Sequence, residues 1–171
     1  PDRRHAELII KTLGLDGGCN SVVTPTAKVE LKEADEVLNS TMATLYWAIT
    51  AQGLYLSQDR SDIQYAIKET SRSMSSPKKS DWEKLKRLGR YLVDKPRAAT
   101  QYRWQKRPLE LRVFVDTDYA GCPRTRKSTS GGLCYFGNHV VKTWSTTQSA
   151  VTLSSGESEY DGLVLSLIHI S

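Results

Sequence analysis

The run LELRVFVDTD, residues 109–118, has an apolar residue at every second position, namely Leu109, Leu111, Val113 and Val115. This alternation predicts a β-strand, which we expect to end at Asp116. Two more strands are predicted over residues 131–136 and 140–144, and residues 137–139 between them have the composition of a hairpin turn. A helix with Ser154 at its start follows. Three strands and a helix in this order predict an α/β fold for the second half of the chain.

The first half of the chain has the periodicity of helices. Four helices are predicted, and they begin near Asp2, Ser40, Ser61 and Ser80. The last two begin with the sequence of a capping box, S-x-x-Q or S-x-x-E. The apolar positions of the first helix are Ala6, Leu8, Ile9 and Leu13, and apolar spacing places Leu45, Ile49, Gly53 and Leu56 on one stripe of the second. In the fourth helix the same spacing gives an inward face of Trp82, Leu85, Leu88 and Leu92.

Composition limits the class of protein. The chain has 171 residues, a net charge of +5 and three cysteines without a C-x-x-C pair, so we expect neither a disulfide framework nor a zinc site. No apolar run is long enough to span a membrane, and the first residues lack the apolar core of a signal peptide. We therefore expect a cytoplasmic or nuclear location and no membrane partner.

Positive charge is concentrated in residues 78–107, which we call the basic band. It contains eleven basic and three acidic residues, so its net charge is +8 in a chain whose total is +5. Such a band in an otherwise slightly acidic chain is typical of a polyanion-binding surface. The alternative is a solvated helix face. The predicted nucleic-acid contacts in the band are Lys84, Lys86, Arg87 and Arg90.

Asp116 and Asp118 are the strongest candidates for chemistry. An acid at the end of a buried strand needs hydrogen-bond donors or a cation, which favours a metal site. The alternative is that both aspartates form a turn ahead of Gly121. An EF-hand loop begins with the same spacing, but Ala120 and Lys127 stand where that loop needs ligand oxygens. The sequence has no adjacent Asp-Asp pair, no Walker A motif and no G-x-S-x-G motif.

Several separated motifs resemble the Copia-type (Ty1/copia) retrotransposon Pol polyproteins. The family's ribonuclease H domain is similar to VDTDYAGCP (115–123), RKSTSG (126–131), WS (144–145) and SSGESEY (154–160). Upstream, YLSQDRSDI (55–63) resembles the family pattern Y-L-x-x-x-R-P-D-I, with Ser61 in place of the usual proline. The resemblance covers about residues 40–164 and joins the end of a reverse transcriptase to a ribonuclease H domain.

The resemblance implies roles for three acids. Asp116 takes the place of the family's first catalytic and metal-binding aspartate. Glu159 takes the place of its catalytic and metal-binding glutamate. Asp118 would support the binding of the metal. In the family these acids hold Mg²⁺ on an RNA/DNA hybrid. Two further acids of the family would lie beyond Ser171, so we expect an incomplete nuclease in this chain alone. Its expected partners are the hybrid and the rest of the Pol polyprotein.

The resemblance also implies a domain organisation. Residues 1–94 would be the helical, thumb- or connection-like C-terminal part of a reverse transcriptase, residues 95–108 a basic linker, and residues 109–164 the N-terminal part of a ribonuclease H-like domain. The expected fold class is α/β, a helical connection region followed by a truncated ribonuclease H-like unit of three antiparallel strands and a helix. Residues 165–171 resemble a translated sequencing adaptor, so we do not include them in the predicted fold.

Two other functions are compatible with the residues. One is a non-catalytic nucleic-acid-binding module that uses the basic band. The other is a metal-dependent enzyme of another class that shares only the Asp-x-Asp strand end. A longer reading frame with an upstream Tyr-x-Asp-Asp and a downstream strand-borne aspartate would favour the Pol polyprotein over both.

Overall fold

The computed structural model describes residues 3–27, 35–122 and 124–170. It has two compact units, a helical unit within residues 1–100 and an α/β unit within residues 101–171. The boundary between the units falls inside the predicted linker. Asp2, the predicted cap of the first helix, lies outside the described residues.

Four helices build the helical unit: α1 (Arg3–Thr12), α2 (Ser40–Leu56), α3 (Ser61–Ser71) and α4 (Lys79–Asp94). The start of α2 is set by Asn39, whose Oδ1 accepts a hydrogen bond from the Met42 N–H at 2.9 Å. The predicted capping boxes of α3 and α4 are wrong in detail. Arg60 occupies the N-cap of α3 without a side-chain cap, and in α4 the Asp81 carboxylate accepts from the Lys78 N–H at 3.2 Å.

The core of the helical unit forms where the inward faces of its helices meet. As predicted, Leu85, Leu88 and Leu92 of α4 are fully buried, and Trp82 is half-buried against this core. Burial of each of these leucine side chains removes apolar surface from water and stabilises the unit by about 1.5–3 kcal/mol. The apolar spacing of α4 therefore identified the buried side of that helix correctly.

Of the apolar positions of α1, only Leu8 is exposed. On the stripe predicted for α2, Ile49, Gly53 and Leu56 are buried and Leu45 is exposed. Tyr46, which the predicted stripe did not include, is also buried in α2. Gly53 allows α2 to approach α3 closely, since a Cβ at this position would lie 2.2 Å from Ile67 Cδ1. The apolar stripe therefore identified the buried side of α2 at three of its four positions.

Arg60 is a buried cation in the helical unit, with only 1% of its side chain exposed. Its Nε and Nη2 atoms donate to the two carboxylate oxygens of Asp62 at 2.8 and 2.7 Å, and Nη2 also donates to the Lys95 carbonyl at 3.0 Å. The Tyr91 hydroxyl donates to the same carboxylate at 2.8 Å. This cluster joins the start of α3 to the end of α4. Its two charged residues both come from the YLSQDRSDI stretch.

The Asp62 carboxylate makes the stability of the helical unit depend on pH. Burial raises the pKa of Asp62, but hydrogen bonds from Arg60 and Tyr91 outweigh it and hold the pKa below its ordinary value. The stabilisation is complete above about pH 4, where an unfolded aspartate is ionised, and is lost as the pH falls toward the lower folded pKa. We expect the free energy of unfolding in urea to fall more between pH 6 and pH 3 in the parent chain than in Asp62→Asn. Equal decreases would contradict this role of Asp62.

The α/β unit is a three-stranded antiparallel sheet with one helix: β1 (Leu111–Asp118), β2 (Thr129–Phe136), β3 (His139–Thr147) and α5 (Ser155–Ile170). The strand order is β1-β2-β3, and Asp116 lies opposite Gly131. Gly137, with φ at +61°, begins the tight turn between β2 and β3. The α/β fold class with three antiparallel strands and a helix is confirmed. β1 ends at Asp118, two residues after its predicted end.

Helix α5 packs on the sheet through Gly162. A Cβ at this position would lie 2.7 Å from Thr117 Oγ1 and 3.2 Å from Val115 Cγ1. The predicted start of α5 is confirmed, because Ser154 Oγ accepts from the Glu157 N–H at 3.2 Å. The helix continues through residues 165–170, whose adaptor origin stays a prediction. Within the described ranges, no helix is both long and apolar enough to cross a membrane.

Candidate functional site

Asp116 lies within β1 on the exposed face of that strand. Exposure alternates along β1, so that Val115 and Thr117 are half-buried on the side that α5 covers and Asp116 is exposed. Its Oδ1 accepts a hydrogen bond from the Thr117 N–H at 2.9 Å. The expectation of a dehydrated acid at the end of a buried strand is therefore wrong, because α5 covers one face of β1 and Asp116 lies on the other.

Asp118 is the last residue of β1 and shapes the turn that follows. Its carbonyl accepts from the Gly121 N–H at 3.4 Å, and a Cβ on Gly121 would collide with the Asp118 carboxylate. Ala120 within the turn has a positive φ of 50°. The turn-forming role that the sequence left open thus applies to Asp118. Its supporting role at a metal stays a prediction.

Glu159 lies in the first turns of α5 and is exposed. The residue before it, Ser158, is fully buried. The Ser158 carbonyl lies 3.5 Å from Thr117 Oγ1 on β1 and accepts a hydrogen bond from Gln148 Nε2 at 2.8 Å. Asp116 and Glu159 are therefore each one residue away from the contact that joins β1 to α5.

A buried polar network holds this junction together. Gln148, only 2% exposed, follows β3, and its Nε2 donates to Ser130 Oγ at 2.9 Å as well as to the Ser158 carbonyl. Its backbone N–H donates to the Ser128 carbonyl at 2.9 Å, and Ser128 Oγ lies 3.2 Å from Thr152 Oγ1. Buried polar groups that are satisfied in this way fix one arrangement of the chain. The network connects the ends of β2 and β3 to the start of α5.

No motif in the sequence identifies Gln148 as part of the site. The available signal was the hydroxyl-rich composition of RKSTSG and SSGESEY, two of the quoted motifs. Hydroxyl groups buried at a strand end need a donor or acceptor from another element. Gln148 supplies both, because its Oε1 also accepts from Ser158 Oγ at 3.4 Å.

The exposed carboxylates of Asp116 and Glu159 are suitable ligands for a hard cation such as Mg²⁺, which prefers oxygen donors and keeps several waters. Among the residues that the structure describes, no group of three or more His, Cys, Asp or Glu side chains is arranged to hold a metal ion. The described part of the site thus consists of two acids and the network that positions them.

The four basic residues predicted to contact nucleic acid lie on α4 in the helical unit. All four are half-buried, and each has a partner. The pairs are Lys84 with Asp81 at 2.9 Å, Lys86 with Glu83 at 3.3 Å, Arg87 with Thr24 Oγ1 at 2.9 Å, and Arg90 with the Asn20 carbonyl at 2.7 Å. Their contact with phosphates stays a prediction, and it would compete with these internal partners.

Comparison with known proteins identifies relatives over nearly the whole chain. The chain is 30% identical to the uncharacterized mitochondrial protein AtMg00810 of Arabidopsis thaliana, over 98% of its own length and 69% of that protein. It is 34% and 32% identical to the retrovirus-related Pol polyproteins from transposons RE2 and RE1 of the same plant, over 68% and 81% of its length. The chain spans only 8% and 9% of these two polyproteins. No protein-family model and no solved structure matches it.

Two of these relatives are Pol polyproteins of transposons. A helical region followed by three antiparallel strands and a helix is a mixed α/β arrangement that is consistent with a ribonuclease H-like fragment. The chain belongs to the Copia-type retrotransposon Pol polyproteins and corresponds to a small part of such a polyprotein.

Proposed function

We propose that the α/β unit is the first part of a ribonuclease H domain, which in the complete Pol polyprotein cleaves the RNA strand of RNA/DNA hybrids. The main support is the junction of β1 and α5, where Thr117 contacts Ser158. Asp116 and Glu159 are the immediate neighbours of these two residues. An acid on a strand and an acid on a helix, held at one junction, are the beginning of a carboxylate site for phosphodiester hydrolysis.

Mg²⁺ is the cofactor that we propose for this site. Asp116 and Glu159 would hold it, with Asp118 in support. When bound, Mg²⁺ would supply an activated water and neutralise charge at the phosphate. The chain itself orients the acids. The Thr117 N–H restrains one oxygen of Asp116, and Gln148 holds the helical turn on which Glu159 lies.

A polypeptide of residues 1–171 is expected to cleave no RNA/DNA hybrid above background. Two acids can bind a hydrated Mg²⁺ weakly, but they cannot fix two ions about 4 Å apart. The measurement is a gel assay with a labelled RNA strand in the hybrid, with Mg²⁺ and with a chelator as control. Cleavage that requires Mg²⁺ and disappears in Asp116→Asn would contradict this expectation.

The second candidate function is a non-catalytic nucleic-acid-binding module that uses the basic band, and the +8 charge of residues 78–107 favours it. If α4 contacts the phosphates of a hybrid duplex, each contact releases condensed counterions. Lys84→Glu with Lys86→Glu should then flatten the slope of log K against log salt by about 0.9 for each phosphate that is no longer neutralised. Both residues have helical partners, so thermal unfolding should first establish that the variant folds. An unchanged slope in a folded variant would make α4 a solvated face.

A further inference from the structure

The α/β unit contains an irregular segment that lies along the end of the β2–β3 hairpin. Residues 101–108 form neither helix nor strand, but side chains on both sides of position 104 hold them in place. The Tyr102 hydroxyl donates to the Val140 carbonyl at 2.9 Å. Gln105 Nε2 donates to the Phe136 carbonyl at 3.0 Å, and Gln105 Oε1 accepts from the Asn138 N–H at 2.9 Å. The backbone around position 104 is therefore fixed by the hairpin.

Trp104 lies between these two anchors with 87% of its side chain exposed. The other three tryptophans of the chain are better covered, since Trp144 is buried, Trp82 is half-buried and Trp47 is 43% exposed. Leaving a whole indole in water forgoes the stabilisation that its burial would give. An aromatic ring held on a fixed backbone with its faces in solvent is the geometry of a stacking platform.

The residues around Trp104 are basic. Arg103, Lys106 and Arg107 are exposed, and no acidic residue occurs between positions 95 and 109. Within the described residues, neither Lys106 nor Arg107 forms a salt bridge, in contrast to the lysines of α4. These cations therefore keep their charge available for an anionic ligand.

We propose that residues 103–107, which we call the Trp104 segment, bind single-stranded nucleic acid. Trp104 stacks on an unpaired base, and Arg103, Lys106 and Arg107 bind the phosphates on either side. An acidic peptide would satisfy the cations but would leave the ring without a partner. A fully paired duplex keeps its bases stacked on one another, so it too would leave the ring unused. This binding does not depend on the ribonuclease proposal.

The test is a binding titration of the full chain with a labelled oligothymidylate of twelve nucleotides. Trp104→Ala should weaken binding about 5- to 150-fold, the range for removal of one stacked base. Trp104→Phe, which keeps a ring, should recover most of that affinity. The matched control is Tyr160→Ala, which removes another exposed aromatic side chain of the same unit, placed between Glu159 and Asp161. It should bind within about twofold of the parent chain.

Charge variants and a duplex probe separate base stacking from electrostatic attraction between the basic residues and the phosphates. Lys106→Glu with Arg107→Glu should flatten the salt slope for the single strand by about 0.7 for each phosphate that is no longer neutralised. Arg3→Glu with Lys11→Glu makes the same charge change on exposed residues of α1, outside the basic band, and should leave that slope unchanged. On a blunt RNA/DNA hybrid, Trp104→Ala should bind as the parent does.

Two results would overturn the proposal. One is a Trp104→Ala variant that binds the single strand no more weakly than Tyr160→Ala. The other is an equal decrease in affinity for the blunt hybrid, which would show that no unpaired base is read. The ribonuclease proposal is tested by cleavage of a hybrid and this one by binding of a single strand, so failure of one can be told apart from failure of the other.

Discussion

Asp116→Asn and Glu159→Gln are each expected to lower hybrid cleavage by more than about 100-fold in a Pol segment that includes the family's downstream acids. Loss of a group that only orients a metal ligand already lowers metal affinity or activity by about 10- to 100-fold. Removal of a ligand itself should therefore lower activity by more than that. Both side chains are exposed, and their amide variants keep the same shape. The measurement is initial rates of RNA-strand cleavage, with thermal unfolding to establish that each variant folds.

Glu110→Gln is the matched control for the two acid variants. It removes one negative charge from an exposed side chain just before β1, whose only described ionic neighbour is Arg112 at 3.8 Å. Its cleavage rate should stay within about twofold of the parent rate, since an exposed pair of this kind contributes little. The cleavage rate of Asp118→Asn should lie between the rate of the control and the rates of the two acid variants. Wild-type rates in a folded Asp116→Asn or Glu159→Gln variant would refute the assignment of that residue.

Arg60→Ala is expected to lower the free energy of unfolding of the helical unit by about 3 kcal/mol or more. The change removes three hydrogen bonds donated from a side chain that is 1% exposed. It also leaves the Asp62 carboxylate with Tyr91 as its remaining side-chain donor. Because the Asp62 side chain is 31% exposed, the decrease should lie near the lower end of the range for broken buried pairs. Urea unfolding followed by helical circular dichroism measures it.

Two further variants test why Arg60 stabilises the fold. Arg60→Lys keeps the charge but cannot make two parallel bonds to one carboxylate, so its stability should lie between the parent and Arg60→Ala. Arg3→Ala breaks an exposed pair with Glu7 at 2.6 Å and should cost less than about 0.5 kcal/mol. If Arg60→Ala costs no more than Arg3→Ala, the Arg60 cluster does not hold α3 to α4.

The sequence predicted the strand and the helix that carry the site better than it predicted which faces of them are buried. Alternating apolar residues in 109–118 identified β1, and Ser154 identified the start of α5, because both patterns depend on residues a few positions apart. The same patterns did not show that only one face of β1 is covered. That property depends on Gly162 of α5, which is more than forty positions away from Val115.

In the basic band too, the sequence did not show which side chains the packing pairs or covers. Composition located the charge, but it did not separate lysines that have partners from those that do not. Lys84 and Lys86 find acids one turn away on their own helix, whereas Arg87 and Arg90 reach the loop at residues 20–24. Trp104 and its basic neighbours remain in solvent.

The sequence by itself determined the Pol family, the order of helices and strands, and the positions of Asp116 and Glu159 along the chain, because local periodicity and short motifs carry this information. The tertiary structure alone decided that Gln148 joins β2 and β3 to α5, that Arg60 is buried and that Asp116 is exposed. Each of these depends on contacts between segments that are distant in sequence or on which faces the packing covers. Burial and hydrogen-bond satisfaction are properties of the packed chain, so no short stretch of residues specifies them.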